Sequence, residues 1–555
     1  MLHLISPLAI SDGPVASGVC KAIAHEFRGL WSNAGQVDAL EGLANQIASK
    51  GFWREGWIAV RQTRIYDGEH MPADIRKRLT ALEESLRPKD LVDKVKGVVL
   101  GSGRSVDLDD LDEVENDDYE GAMVRMNQTV ESLGRDVAND DEAFKTLLLS
   151  LVRGGSRVPL FGVGLGSSTE KPYEIWHALK TEFSASDKPD TGLMGGFLLG
   201  LQKLDAVLAD KMLDEAVEHP SVGVYFPHLQ ARIVVDKNGL KRLHLALELG
   251  KADITQYFAL AHGLASDDIP GPEFRDLLLA IAKKPGGLTV ALEILSMRLF
   301  ANGMDKKEPV PEAAEAGRVL LDAFEFHAKD ARSDREDREL GSIVKVSLAG
   351  EEGIPIVRRI VRKLMIAVGR YDIHAYAQDD LVMGLLHVHP SVVLDEAFSG
   401  DEKARAKAVQ AFVDFQRFRK NPVGVVPDDV LLGWCDVDPA VRYPLMAASA
   451  GLFKRPANNE PHEWLPLASK LLTKAPDPHA ILKEIVRRLR PWSWSGSLAT
   501  QLEGRLKLLE QLPAGHGPQI ADGLNKAKSD FQEWIAKERR NEAAESRERD
   551  SRFED

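Results

Sequence analysis

The residues with the clearest chemical potential form a glycine-rich run, residues 161–168, in which Gly162, Gly164 and Gly166 occupy every second position. Such a run can cradle phosphate groups when it follows a buried strand and opens a helix with an anchoring lysine. The phosphate-loop pattern G-x-x-x-x-G-K-[ST] does not occur in the sequence. We therefore interpret residues 161–168 as a glycine-rich loop between helices, and we expect no nucleotide or other cofactor.

Histidines and cysteines are not spaced as metal ligands or catalytic groups. His387 and His389 are the only tight histidine pair, and two ligands do not complete a structural zinc site. Cys20 and Cys435 lie far apart outside any C-x-x-C pair, which indicates reduced thiols. The patterns H-E-x-x-H and G-x-S-x-G are absent. We therefore predict no metal site, no catalytic residue and no enzyme activity; an enzyme whose site is assembled across distant helices is the third alternative.

Arginine next to tryptophan is the combination that best indicates a binding surface. It can stack on nucleic-acid bases, or it can supply the anchors that dominate protein interfaces. The simpler explanation, here and for the basic clusters at residues 358–363 and 417–420, is the solvated face of an amphipathic helix. Of the three clusters, the one with tryptophans is the best surface to test. Its candidate binding residues are Arg487, Arg488, Arg490, Trp492 and Trp494.

Composition limits the class of protein that carries these residues. The chain has 555 residues with a formal net charge of −14. This acidic balance argues against a general nucleic-acid or membrane-surface binder, which would need a basic face. The N-terminus lacks the basic start and apolar stretch of a signal peptide, and no run of about eighteen apolar residues is present. We therefore expect a cytoplasmic protein that does not associate with membranes.

Helical periodicity is the dominant pattern of the elements that must position these side chains. Ile75, Leu79, Leu82 and Leu86 recur at alternating spacings of four and three residues within a charged stretch. This spacing is typical of an amphipathic helix. Alternation typical of a strand is limited to two short stretches, residues 231–235 and 342–347. The sequence therefore predicts an all-α protein.

Prolines recur in the last third of the chain at a spacing that indicates repeats. Pro439, Pro478 and Pro518 are 39 and 40 residues apart, and similar strings surround Pro390 and Pro220. Proline is tolerated in the first turn of a helix, and an aspartate before it can cap the exposed N–H groups. A period near 40 residues corresponds to an antiparallel helix pair with its turns. We therefore predict stacked antiparallel helix pairs that form a HEAT-like or irregular α-solenoid.

The predicted organisation has five parts. Residues 107–120 contain nine acidic side chains among fourteen, which is typical of a solvated linker. The chain's last residues alternate in charge and are poor in apolar side chains. The predicted parts are an N-terminal helical region 1–105, an acidic linker or loop 106–122, irregular helical repeats 123–330, HEAT-like repeats 331–535 and a polar tail 536–555.

Two resemblances accompany these patterns. Residues 438–442, Asp-Pro-Ala-Val-Arg, resemble the turn within a HEAT repeat. Residues 133–144, 284–295 and 547–554 resemble helical phrases from the C-terminal, sensor-like regions of bacterial STAND-type and related antiphage defence proteins. In those proteins the helical repeats follow an effector and an NTPase module, neither of which is visible here. The resemblance implies either a separated sensor or accessory chain, or a similar helical scaffold.

These observations favour a non-enzymatic helical-repeat scaffold that binds another protein, as the sensor or accessory part of an antiphage defence system. The alternative is a helical-repeat protein that binds nucleic acid in a concave basic face. The sign of the charge on the concave surface distinguishes the two, because a basic groove lined by arginines would favour nucleic acid.

Overall fold

The computed structural model describes residues 2–11, 13–32, 35–101, 119–263, 265–304, 308–326, 334–418, 420–454, 463–491, 494–512 and 518–553. About 78% of the chain is helical, which confirms the all-α prediction. Among the described residues the only strands are a two-residue antiparallel pair, β1 (Phe453–Lys454) and β2 (Glu463–Trp464). The chain divides into two compact units, Met1–Ile269 and Pro270–Asp555.

The first unit contains fourteen α-helices among its described residues. They are α1 (Leu2–Ala9), α2 (Pro14–Trp31), α3 (Val37–Ala48), α4 (Arg54–Asp67), α5 (Ala73–Leu86), α6 (Leu91–Val98), α7 (Tyr119–Ala138), α8 (Asp141–Val152), α9 (Val158–Gly166), α10 (Pro172–Ala185), α11 (Gly192–Leu204), α12 (Ala206–Glu218), α13 (Phe226–Gln230) and α14 (Lys237–Leu249). Short 3-10 helices at Gly68–His70, Gly223–Tyr225 and Ile254–Ala261 connect or follow them.

The apolar stripe predicted around Ile75 becomes one side of α5. Leu79, Leu82 and Leu86 are fully buried, and Ile75 packs against the same core. Helix α5 contacts α3 and α4, and the shared core includes the ring of Trp57. Period-3.6 patterning therefore orients α5 as expected, because only one side of the helix is apolar.

The glycine-rich run is a helix, so the prediction of a loop is wrong. Helix α9 lies between α7 and α11 and contacts both. A methyl group added at Gly164 would overlap the carbonyl oxygen of Glu131 on α7, and one added at Gly166 would overlap that of Phe197 on α11. The alternate glycines therefore allow close approach of three helix backbones rather than a turn.

The second unit also contains fourteen α-helices among its described residues. They are α15 (Gly271–Ala282), α16 (Gly287–Met304), α17 (Pro311–Asp322), α18 (Asp334–Ser347), α19 (Ile354–Gly369), α20 (Asp379–Val388), α21 (Pro390–Ala397), α22 (Glu402–Phe418), α23 (Asp428–Asp436), α24 (Pro439–Ser449), α25 (Pro466–Lys474), α26 (Pro478–Leu489), α27 (Leu498–Glu510) and α28 (Pro518–Phe553). Short 3-10 helices lie at Glu351–Gly353, Ala375–Gln378 and Pro422–Val425.

Helices of the second unit contact their next-but-one neighbours in the chain. One series of such contacts runs through α15, α17, α19, α21, α23 and α25. Two shorter series run through α16, α18 and α20 and through α22, α24, α26 and α28. Side chains also join positions about one helix pair apart. The ring of His389 donates to the carbonyl oxygen of Leu348, 41 residues away, and Lys470 Nζ donates to Asp428, 42 residues away. The spacing of these contacts is close to that of the prolines.

The predicted helix starts have a mixed outcome. Pro390, Pro439 and Pro478 are the first residues of α21, α24 and α26, as predicted. The carboxylate of Asp477 caps α26 by accepting the backbone N–H groups of the next turn, at 3.0 and 3.2 Å. The prediction for Pro220 is wrong, because this residue lies in a turn that leads to the 3-10 helix Gly223–Tyr225.

The prediction of strands at the two stretches with alternating apolar residues is wrong. Residues 342–347 form the last turns of α18, and residues 231–235 form a turn and loop after α13. Most of the predicted acidic linker, residues 106–118, lies outside the described residues, and its last residues belong to α7. Residues 536–553 of the predicted polar tail continue α28.

Candidate binding surface

The predicted arginines lie at the C-terminal end of α26 and differ in their surroundings. Arg487 is exposed and pairs with Glu484 one turn earlier, with 2.7 Å between Nη2 and the carboxylate. Arg488 is partly buried and donates from Nη1 to the carbonyl oxygen of Ala448 at the end of α24. Arg490, just beyond the helix, is exposed and has no side-chain partner among the described residues. Arg488 therefore joins two helices, and Arg487 and Arg490 face solvent.

Trp494 is 53% exposed, in the segment between α26 and α27. The other described tryptophans are buried or partly buried, so Trp494 is the indole that a partner could cover with the largest gain in buried area. Trp492 lies outside the described residues. The structure thus places Arg487, Arg490 and Trp494 at the surface of the second unit, and it places Arg488 in a helix-to-helix contact.

The basic cluster of α19 differs from this one. The basic residues of α19 each have an acidic partner on a neighbouring element. Arg358 and Arg362 pair with Glu396, Arg359 with Asp322 and Lys363 with Glu325. Lys363 also donates to two backbone carbonyls. These pairs agree with a neutralised helix face rather than a nucleic-acid contact. Arg419 of the third cluster lies outside the described residues.

A cluster of three carboxyl groups, which sequence reasoning missed, lies where α18 meets the start of α20. One carboxylate oxygen from each of Asp337, Asp379 and Asp380 falls within 4.8 Å of the others. Asp337 is 2% exposed and accepts the backbone N–H groups of Asp380 (2.8 Å) and Leu381 (3.1 Å). No sequence signal indicated this cluster, because 42 residues separate Asp337 from Asp379.

Burial and neighbouring negative charge both raise the pKa of Asp337. Desolvation raises the pKa of its carboxyl to about 7, the two N–H groups oppose this rise, and the charges of Asp379 and Asp380 add to it. Hard cations such as Mg²⁺ or Ca²⁺ prefer carboxylate oxygens, so these are the described residues that could hold one. Asp337, however, already directs its oxygens at the backbone of α20, which suits a capping role.

The histidine pair and the cysteines do not form a site. The imidazole Nε2 of His389 donates to the carbonyl oxygen of Leu348 at 2.7 Å, and His387 is exposed. Cys435 is buried, and desolvation raises the pKa of its thiol to about 12. Burial also raises the pKa of Cys20, which donates to the carbonyl oxygen of Ala9. Neither thiol has the depressed pKa of a nucleophile.

The described helices include none with the length and apolar character needed to cross a bilayer. Comparison with models of known protein families gives no match to this chain, and no curated protein matches its sequence.

Proposed function

We propose that this protein is a helical-repeat scaffold that binds a protein partner. The observation that carries the proposal is the exposed indole of Trp494, four residues along the chain from the solvent-facing Arg490, since aromatic and arginine anchors supply most of the energy of protein interfaces. The contacts between next-but-one helices support a HEAT-like or irregular α-solenoid in the second unit, because each helix pair then buries its apolar side only against its neighbours.

The pairing of the α19 arginines with acids favours a protein partner over nucleic acid. A nucleic-acid groove would need unpaired basic side chains to neutralise phosphates. At α19 the basic side chains instead pair with Glu396, Asp322 and Glu325. A role as the sensor or accessory part of an antiphage defence system is the more specific form of the proposal, and its support is the resemblance of residues 133–144, 284–295 and 547–554.

Capture of partners by the purified full chain, from host cells before and after phage infection and both with and without nuclease, tests the proposal. We compare the natural chain with the double variant Arg490→Ala and Trp494→Ala. Truncating a hot-spot pair costs about 2 kcal/mol or more, so the variant should lose the partner about thirtyfold in affinity. Tyr173→Ala, which removes an aromatic ring that is 55% exposed on α10, is the matched control.

Each outcome has a distinct meaning. A defined protein that the natural chain and the Tyr173 variant retain, and that the double variant loses, supports the scaffold. If the double variant retains that protein, the protein binds at a surface other than the one around Trp494. Recovery of nucleic acid alone, with affinity that falls steeply as salt rises, supports the alternative function.

A further inference from the structure

The side of α28 that packs against the rest of the second unit changes from apolar to polar along the helix. The buried residues of α28 lie three or four positions apart and are Ile520, Leu524, Ala527, Phe531 and Ile535. The same spacing continues to Glu538 and Glu542. None of the residues 536–547 is buried. Polar contacts therefore attach this part of α28 to its neighbour α27.

Glu542 is the residue through which this part of α28 contacts the start of α27. Its Oε2 accepts the hydroxyl of Ser497 at 2.8 Å, and its Oε1 accepts the backbone N–H of Ala499 at 3.1 Å. The N–H of Ala499 and the hydroxyl of Ser497 lower the pKa of Glu542, which keeps the carboxylate charged. The first N–H groups of a helix have no partner within the helix, and a carboxylate is stabilised beside them. Glu542 therefore caps α27 from a different helix, and Arg539 adds a pair with Glu503 of α27.

Ser497 also ends the segment that carries Trp494. It is the N-cap residue of α27, and its Oγ accepts the backbone N–H of Thr500 at 3.1 Å. Residues 494–496 are exposed, and their side chains make no hydrogen bond among the described residues. The chain turns at Gly496, whose φ of +76° favours glycine, and nothing lies within 4 Å of its Cβ position. Ser497 is thus the first residue after Trp494 whose side chain is held by another helix.

We propose that Glu542 is a positioning residue for the binding surface around Trp494, because it holds Ser497 and the first turn of α27 against α28. This inference rests on the proposed function and names a residue that controls the same surface. While the Glu542 contact is made, the indole of Trp494 extends from an ordered chain, which lowers the entropy that a partner must remove on binding. When the contact is lost, the start of α27 frays and the chain is held only from the buried Leu498 onward.

Amide hydrogen exchange in the full chain measures the contact at α27. A contact at the N-cap changes the opening equilibrium of a helix start by about fivefold, so Glu542→Ala should speed the exchange of peptides that cover residues 498–502 by about that factor. Glu545→Ala is the matched control, because it removes an exposed carboxylate one turn further along the same helix. Glu542→Gln keeps an oxygen for the Ala499 N–H and should recover most of the protection. Exchange in Glu542→Ala that is as slow as in the natural chain would overturn the proposal.

Fluorine NMR of the chain labelled with fluorotryptophan reports on the indole itself. The variant Trp494→Phe identifies the resonance of Trp494 among those of the nine tryptophans. In Glu542→Ala this resonance should narrow, because the indole gains freedom when the segment is released, and in Glu545→Ala it should stay as in the natural chain. A purely structural cap would not change it. If exchange at residues 498–502 accelerates while the Trp494 resonance is unchanged, Glu542 only caps α27 and the proposal is wrong.

Affinity for the captured protein separates this inference from the function on which it rests. Glu542→Ala should weaken that protein's binding by up to about fivefold, in proportion to the fraction of chains in which the segment is released. If the Trp494 resonance shows release and the protein still binds with natural affinity, the positioning role is overturned, whereas loss of binding in the Arg490 and Trp494 double variant keeps the proposed function. If no protein is captured, the proposed function fails, and the exchange and fluorine measurements still decide whether Glu542 orders the Trp494 segment.

Discussion

The guanidinium of Arg442 lies over the indole of Trp434, with 4.6 Å between its central carbon and the ring centroid. Arg442 also donates from Nη1 to the backbone carbonyl of Trp434. Asp395 on α21 completes the contact, since it accepts the indole Nε1–H (2.9 Å) and pairs with Arg442 Nη2 (3.0 Å). The last residue of the Asp-Pro-Ala-Val-Arg string therefore links α23, α24 and α21.

Replacement of Arg442 by lysine should destabilise the second unit by about 1–2 kcal/mol, because an ammonium group cannot stack on Trp434 and bond in a planar fork at the same time. Urea unfolding followed by tryptophan fluorescence measures the change. Arg487→Lys is the matched control, since its exposed pair with Glu484 contributes about 0–1 kcal/mol at most. Equal stability of the two variants would contradict a special role for the stacked arginine.

Gly164→Ala should destabilise the first unit by about 1–3 kcal/mol, because the added methyl group forces α9 away from α7. Gly42→Ala on α3 is the opposite case, since nothing lies within 4 Å of the new methyl group. Alanine is the better helix former there and should stabilise the chain by about 0.5–1 kcal/mol. Thermal unfolding by circular dichroism compares the two variants. A tolerated Gly164→Ala would show that α7 and α9 are not in tight backbone contact.

Glu83 and Glu84 offer a second matched pair. Glu83 is buried between Arg61 and Arg64 and pairs with both, whereas Glu84 pairs with Arg87 at the surface. Glu83→Ala removes the carboxylate that both arginines share and should cost about 3–5 kcal/mol. Glu84→Ala should change stability by less than about 1 kcal/mol. Chemical denaturation of both variants measures the difference, and a mild effect at Glu83 would mean that the arginines find other acceptors.

His219 should make the first unit sensitive to acid. Its Nδ1 accepts the backbone N–H groups of Ser221 and Val222, both at 3.3 Å, which requires a neutral ring. Burial, with Lys180 and Lys251 nearby, lowers the pKa of His219. The folded state thus resists a proton that the unfolded state takes up, so stability falls as the pH drops below about 6.5.

His219→Asn keeps a side-chain acceptor but does not titrate. The fall in unfolding free energy between pH 7.5 and pH 5.5 should therefore be smaller in this variant than in the natural chain. His389→Asn is a useful comparison, since the His389 ring acts as a donor, to the Leu348 carbonyl. If the acid-side loss of stability is equal in the natural chain and the His219 variant, the turn after α12 does not depend on a neutral ring.

The helical class could be predicted because it depends on local patterns. Apolar spacing near 3.6 residues orients α5 around Leu79 and Leu82 whatever the rest of the chain does. Proline starts at Pro439 and Pro478 are likewise local, since the fixed φ of proline suits the first helical turn. No helix begins at Pro220. There the His219 ring accepts backbone N–H groups of the residues that follow, and the segment forms a turn.

The wrong predictions have a common physical origin. The structure that these residues adopt depends on contacts with other helices, which the local sequence does not show. Glycines at 162, 164 and 166 suggest a flexible loop until α7 and α11 are known to lie against them. Residues 342–347 alternate like a strand, yet Ile343 and Val344 are both buried on α18, and Ser347 is buried as well.

For the candidate sites, too, local patterns predict exposure but not contacts between helices. Exposure of Arg487, Arg490 and Trp494 fits the amphipathic pattern and a polar segment after α26. The contact of Arg488 with the Ala448 carbonyl depends on the packing of α24 against α26, which no local pattern encodes. Asp337 likewise meets Asp379 and Asp380 only through the crossing of α18 and α20.

The burial of α9 also restricts the order in which the first unit can assemble. Helix α9 has nine residues, three of them glycines, and is too short to persist alone in water. Its main contacts are with α7 before it and α11 after it. During synthesis, residues 158–166 therefore gain a stable structure only after α11, which ends at residue 204, has left the ribosome. Residues 119–204 should accordingly appear as one cooperative step in refolding kinetics rather than as successive helices.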